Sequence, residues 1–155
     1  MKFFVHPFGV RGEVRFQFGR YRLLLVFLGF LFFVNLACSE QSEKLSVHFV
    51  NPDGSKSPAI LAETANTDAA RSLGLMYRRE IGELEGMFFV FPDSQERSFW
   101  MKNTYIELDI IFLDDDFRVV SIINRAAPHT VSERKSQSPA TYVLEIPGGS
   151  AEKWK

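Results

Sequence analysis

Ile106-Glu107-Leu108-Asp109-Ile110-Ile111-Phe112-Leu113 runs into Asp114-Asp115-Asp116 and then into Arg118-Val119-Val120-Ser121-Ile122-Ile123. Ile106, Leu108, Ile110 and Phe112 alternate with Glu107, Asp109, Ile111 and Leu113, the two-residue period of a strand, and the triple aspartate supplies the turn. The stretch predicts an antiparallel hairpin. Downstream, a polar loop over 124–139 leads to a last strand over 141–146, closed by Gly148-Gly149.

Upstream the same logic repeats. Leu45, Val47 and Phe49 alternate with Ser46 and His48, and Asn51-Pro52-Asp53-Gly54 is turn chemistry leading to a second strand near 59–63, so a first hairpin is expected. Thr67 offers an N-cap hydroxyl beside Asp68, and Ala69, Leu73 and Met76 recur at spacings of four and three. These positions predict a helix over 68–79 with Leu73 on its buried face. Gly82 and Gly86 break the chain before Met87-Phe88-Phe89-Val90-Phe91, a continuous apolar run of the kind found in strands covered on both faces. Another strand is expected over 98–103. The sum is an α+β fold, a mainly antiparallel β-sheet with one short helix packed on it.

The chain has 155 residues, enough for one domain with a real core, and a single cysteine. Many of its sixteen phenylalanines crowd into the first 33 positions. There Lys2, Arg11, Arg15, Arg20 and Arg22 precede an apolar run over 23–34, with mostly small or polar residues after it. That is the order of a signal peptide. The run is about 12 residues, short of the roughly 20 a membrane-crossing helix needs. Cys38 follows Leu36-Ala37, a position resembling a bacterial lipobox cysteine, although Asn35 stands where that motif prefers an aliphatic residue. The expected organisation is therefore a signal peptide over 1–37, a tether over 38–44 lipidated at Cys38, and one domain over 45–155. Its address would be the cell envelope, exported and held to the membrane by lipid. Removal of 1–37 takes five of 18 Lys plus Arg and one of 19 Asp plus Glu, leaving 13 against 18 and a net charge of −5. A domain so charged has no global attraction for a phosphate backbone, so nucleic acid is not an expected partner.

Five segments in order resemble the bacterial and archaeal domain-of-unknown-function family 192. They are Arg71-Ser72-Leu73-Gly74-Leu75-Met76-Tyr77-Arg78, Gly86-Met87-Phe88-Phe89-Val90-Phe91, Phe99-Trp100-Met101-Lys102-Asn103-Thr104, Leu108-Asp109-Ile110-Ile111-Phe112 and Tyr142-Val143-Leu144-Glu145. The resemblance implies no particular activity, and it agrees with export. Family members usually continue past the position of Gly148-Gly149 through a short helical stretch to another strand carrying Gly-Asp. Here a helix beginning at Ser150 is expected, and the family's closing strand is not.

Several residues are candidates for chemistry. On a helix, Arg71 and Arg78 would fall almost on one line about 10 Å apart, with Gly74 between them leaving a bare patch, an arrangement suited to a carboxylate or phosphate. The alternative is that both arginines are paired to acidic neighbours. Trp100, Asn103 and Thr104 stand where a strand passes into a loop, and the indole could stack on a sugar or a peptide side chain. Asp109 and Glu145 are carboxylates within apolar strands, usable for acid/base work if they converge, or for structural hydrogen bonds if they do not. Met76, Met87 and Met101 are the thioethers a Cu(I) site would use, yet core packing accounts for them. His48 and His129 are isolated, and Asp114 to Asp116 lacks calcium-loop spacing. Neither metal nor cofactor is expected. The leading expectation is a non-catalytic module using Arg71, Gly74, Arg78, Trp100, Asn103, Thr104 and Asp109 to bind an anionic small molecule, a glycan or an envelope protein. The alternative is a small acid/base hydrolase or lyase using Asp109 and Glu145.

Overall fold

The computed structural model describes residues 2–7 and 43–154. The apolar run over 23–34 and Cys38 lie outside the described residues, so neither the export reading nor the lipid anchor is addressed by it. The described strands are β1 (Lys2–Pro7), β2 (Lys44–Val50), β3 (Ile60–Ala65), β4 (Glu85–Gln95), β5 (Ser98–Phe99), β6 (Leu108–Leu113), β7 (Val119–Ala126), β8 (Arg134–Lys135) and β9 (Ala140–Pro147); the helices are α1 (Asp68–Leu73) and α2 (Ser150–Lys153). The main sheet has the order β1-β2-β3-β4-β9-β6-β7, and β5 pairs with β8 in a small ribbon.

The fold is strand-rich, with short helices, and its sheet is mixed. Both expected hairpins form, β2 with β3 and β6 with β7. Strands β3 and β4 run parallel, with Ala62 opposite Gly86 and Thr64 opposite Phe88. A parallel pair needs a crossover of about a dozen residues or more, and α1 with the turns after it supplies one. The expectation of one helix on a mainly antiparallel sheet thus holds in outline only. Two further differences concern the ends of strands. Lys2–Pro7 pairs antiparallel with β2, although no element was expected before Cys38; if residues 1–37 are removed on export, the sheet begins at β2. The strand expected over 98–103 is two residues long, because the chain turns at Met101 to Thr104, where Asn103 takes a left-handed φ of 56°.

Strands β4, β9 and β6 are central and covered on both faces. On one face Phe88, Ile111, Leu113, Leu144 and Ile146 pack with Ala151 and Trp154. On the other, Met87, Phe89, Leu108, Ile110, Phe112 and Val143 pack with Leu75 and Met101. This is why 108–113 is buried throughout, Asp109 included.

Helix α1 is shorter than expected. Thr67 caps it, its hydroxyl accepting from the Ala70 N–H at 3.1 Å. Gly74 ends it at φ 49°, ψ −137°, a backbone conformation that a Cβ disfavours, and Tyr77 follows at φ 65°. Leu73 is consequently 55% exposed, and Leu75, beyond the helix, is the residue that enters the core at 2%. Thr67→Ala should cost about 1 kcal/mol. Leu75→Ala should cost about 2 to 5 kcal/mol and Leu73→Ala well under 1 kcal/mol. Chemical denaturation of the three variants checks the order, and a Leu73 loss equal to that of Leu75 would contradict this placement.

Candidate functional site

A cleft of about 470 Å³ opens beside α1. One wall is the end of the helix and the turn after it, from Arg71 through Gly74 to Met76. The base comes from the sheet, with Phe89 and Phe91 of β4 and Glu145 of β9, and the opposite wall is Ser98, Phe99, Trp100 and Thr104.

Aromatic rings set the shape of this recess. Phe99 meets Phe89 edge-on at 5.1 Å and Phe112 at 5.8 Å between centroids, fixing β5 against the sheet. Two guanidinium groups lie over the Phe91 ring, Arg97 at 4.0 Å and Arg71 at 5.2 Å from its centroid. Gly74 packs over Phe89, whose Cζ would lie 3.4 Å from an added Cβ. Trp100 stands at the rim, 50% exposed, with the Lys102 ammonium 5.3 Å from its ring.

Glu145 is the unusual group. It is 5% exposed and belongs to the face that carries Met87 and Phe89, with Met87 and Ile110 its cross-strand neighbours. No described residue donates a hydrogen bond to its carboxyl, and burial alone pushes its pKa up to about 8. The side chain is therefore mostly a neutral acid at pH 7, holding an O–H donor and a carbonyl acceptor towards the cleft.

Arg71 lines the cleft but is already engaged. Its Nη1 donates to the carbonyls of Asn66 at 2.8 Å and Val90 at 2.7 Å, and its Nη2 to Asp68 at 2.5 Å. Thr104, buried, also lines the cleft and donates a long bond of 3.3 Å to the Lys102 carbonyl, leaving its oxygen able to accept.

Three candidate residues are placed elsewhere. Arg78 is not in line with Arg71, because the helix ends between them; it forms a two-pronged pair with Glu63, at 2.8 and 2.5 Å, which raises its pKa. Asn103 turns to the Tyr77 hydroxyl at 3.1 Å, and its carbonyl accepts from the Tyr77 N–H at 2.8 Å. Asp109 points to the other face of the sheet. There it accepts from the backbone N–H groups of Arg125 at 2.7 Å, Gly149 at 3.0 Å and Ala151 at 2.8 Å. Asp109 and Glu145 therefore do not converge, since Asp109 is paired with Ile146 and Glu145 with Ile110, one step out of phase.

Of the expected residues, Arg71, Gly74, Trp100 and Thr104 come together, and Glu145 joins them without Asp109. Phe89, Phe91 and Phe99 had been legible only as core. Among the described residues, no group of three or more His, Cys, Asp and Glu is placed to hold a metal ion. Met76 alone of the three methionines lines the cleft.

These features define a small, mainly β domain with a preformed recess over one face of a mixed sheet. The family model described as "DUF192: Uncharacterized ACR, COG1430" matches residues 49–155, and the chain belongs to that family. Among solved structures, it is similar to a "putative transcription regulator" from Sinorhizobium meliloti 1021, at 33% identity and a TM-score of 0.70 over 72% of this chain and 86% of that one. It is also similar to a protein of unknown function from Novosphingobium aromaticivorans DSM 12444, at 35% identity and a TM-score of 0.69 over 75% of this chain and 81% of that one. No curated protein matches it.

Proposed function

We propose that this chain is an exported, lipid-anchored module of the cell envelope that binds a short glycan in the cleft without chemically altering it. The observation that carries this reading is the half-exposed Trp100 ring standing over a cleft whose base holds a buried carboxyl to which no described residue donates a hydrogen bond. Sugars are recognised by stacking an apolar ring face on an aromatic side chain while hydroxyls meet a few fixed polar groups, and Glu145, Thr104, Ser72 and Ser98 supply those groups. The volume lies within the usual range for small-ligand sites.

An anion is less well served. Arg78 is neutralised by Glu63, and Arg71 shares its charge with Asp68 at the same wall. The hydrolase alternative needs a second carboxyl, since glycosidic cleavage uses two flanking the bond. Besides Glu145, the acidic residue lining the cleft is Asp68, whose side chain is 99% exposed and tied to Arg71. The net charge of −5 beyond residue 37 argues against a nucleic-acid partner. The envelope address rests on the order of charged, apolar and polar residues ending at Cys38.

Both parts can be tested on the same cells and protein. Chitotriose, cellotriose and maltotriose, titrated in turn, should shift or quench Trp100 fluorescence, with the buried Trp154 as the unresponsive background. Trp100→Ala should remove the response and leave the thermal midpoint within about 2 °C, as expected of a surface side chain. Silence from all three sugars counts against the glycan reading. Cys38→Ser should abolish lipid labelling and membrane retention; persistence of both would remove the anchor.

A further inference from the structure

We propose, resting on the glycan reading of the cleft, that the sugar selected there is an amino sugar whose free primary ammonium docks on the Glu145 carboxyl. Three observations lead to this. The first is the absence of a partner: Glu145 is buried at the base of the cleft, and no described residue donates a hydrogen bond to its carboxyl. The second is the character of its surroundings. Across the strands it faces Met87 of β4 and Ile110 of β6, both apolar, and the charged groups lining the cleft are Arg71 and Asp68 of α1, bonded to each other. Among the described residues no cation is bonded to the carboxyl, and burial is what raises its pKa. The third is the aromatic lining of Phe89, Phe99 and Trp100: the half-exposed Trp100 ring already takes the Lys102 ammonium at 5.3 Å, so this wall is one that accepts an ammonium.

A ligand ammonium would supply the missing charge and up to three donors to one carboxylate, the charge-assisted form of the hydrogen bond. A neutral hydroxyl in its place leaves Glu145 protonated and makes a weaker bond. An N-acetyl group removes the charge and adds bulk at the buried end. Binding of the ammonium therefore requires Glu145 to release its proton. At pH values below about 8, affinity should fall as the solution becomes more acid, by up to about tenfold per pH unit, because ligand and proton compete for one group. At higher pH the amine itself loses its charge, and affinity should fall again.

The test is calorimetric titration of the protein as purified from the membrane in detergent micelles with D-glucosamine, N-acetyl-D-glucosamine and D-glucose at pH 6.5. D-glucosamine should bind at least about tenfold more tightly than either of the others. Repeating the titration in two buffers of different ionisation enthalpy should show close to one proton released per ligand bound. In Glu145→Gln the affinity ratio of D-glucosamine to D-glucose should drop to about one and the proton release should vanish. Equal affinities for all three sugars in the wild type, or an unchanged ratio in the variant, would overturn the amine assignment while leaving the glycan reading in place. Failure of these three sugars to bind while a trisaccharide still quenches Trp100 would overturn the amine assignment alone, and silence from both sets would overturn both. If the variant does not fold, proton release by the wild type decides the matter, and its absence refutes the proposal.

Discussion

Glu145→Gln is expected to flatten the pH dependence of stability between about pH 4.5 and pH 8, the window set by a carboxyl that titrates at 4.5 ordinarily and near 8 in this fold. The sign follows from proton counting. Between those values the folded protein keeps a proton that the unfolded chain has released, so stability falls as pH rises, by up to about 1.4 kcal/mol per unit. Below 4.5 both states are protonated and the full contribution is present; above 8 it has been lost. The total is about 5 kcal/mol, a large share of the stability of a domain this size. Glutamine is nearly isosteric and does not titrate, so the difference between wild-type and variant denaturation curves isolates this one group. Asp53, Glu83 and Asp93 are held below the ordinary carboxylate range by hydrogen bonds from Ser55, Lys153 and Arg97, act at more acid pH, and are common to both proteins. Parallel wild-type and variant profiles across the window would show that Glu145 is not a neutral buried acid, and would remove the chemical basis for its role in the cleft.

The second large effect is expected on the opposite face of the sheet. Asp109 is fully buried and its two carboxylate oxygens accept three backbone N–H groups, from Arg125, Gly149 and Ala151. Two of these donors belong to residues in left-handed conformation, Arg125 at φ 48° and Gly149 at φ 87°, and the third lies in the first turn of α2. Asp109→Ala leaves all three without an acceptor and should destabilise the protein by about 3 to 5 kcal/mol. Asp109→Asn keeps one oxygen and should cost less. Neither change touches the cleft, so below the thermal midpoint the Trp100 response to sugar should persist in both. A variant that stays stable but loses ligand would return Asp109 to the binding site; the hydrogen bonds point to a residue that anchors β7 and α2 to β6.

How much of this was legible in the residues can be followed strand by strand. The run Met87 to Phe91 and the two hairpins were visible because local alternation and turn chemistry act over a few neighbours. The parallel pairing of β3 with β4 was not, since it depends on where the segment 66–84 carries the chain before β4 begins. Gly74 marks the end of α1 in the sequence, but the apolar spacing over Ala69, Leu73 and Met76 runs past it and suggests a longer helix. In that longer helix Arg78 would align with Arg71 and Leu73 would enter the core. Glu145 stood out as a charge in an apolar strand, yet nothing local to it revealed which face it takes relative to Asp109.

By itself, then, the amino-acid sequence determined the six longer strands from β2 to β9, the hairpins, the N-cap at Thr67 and membership of the family, because each is encoded in residues close together or in ordered motifs. Tertiary structure alone decided which polar residues meet. Register between β6 and β9 puts Ile110 rather than Asp109 opposite Glu145, and with a side-chain period of two that single step sends the carboxylates to opposite faces. One meets the backbone N–H groups it needs and becomes an anchor; the other meets only apolar neighbours and the cleft.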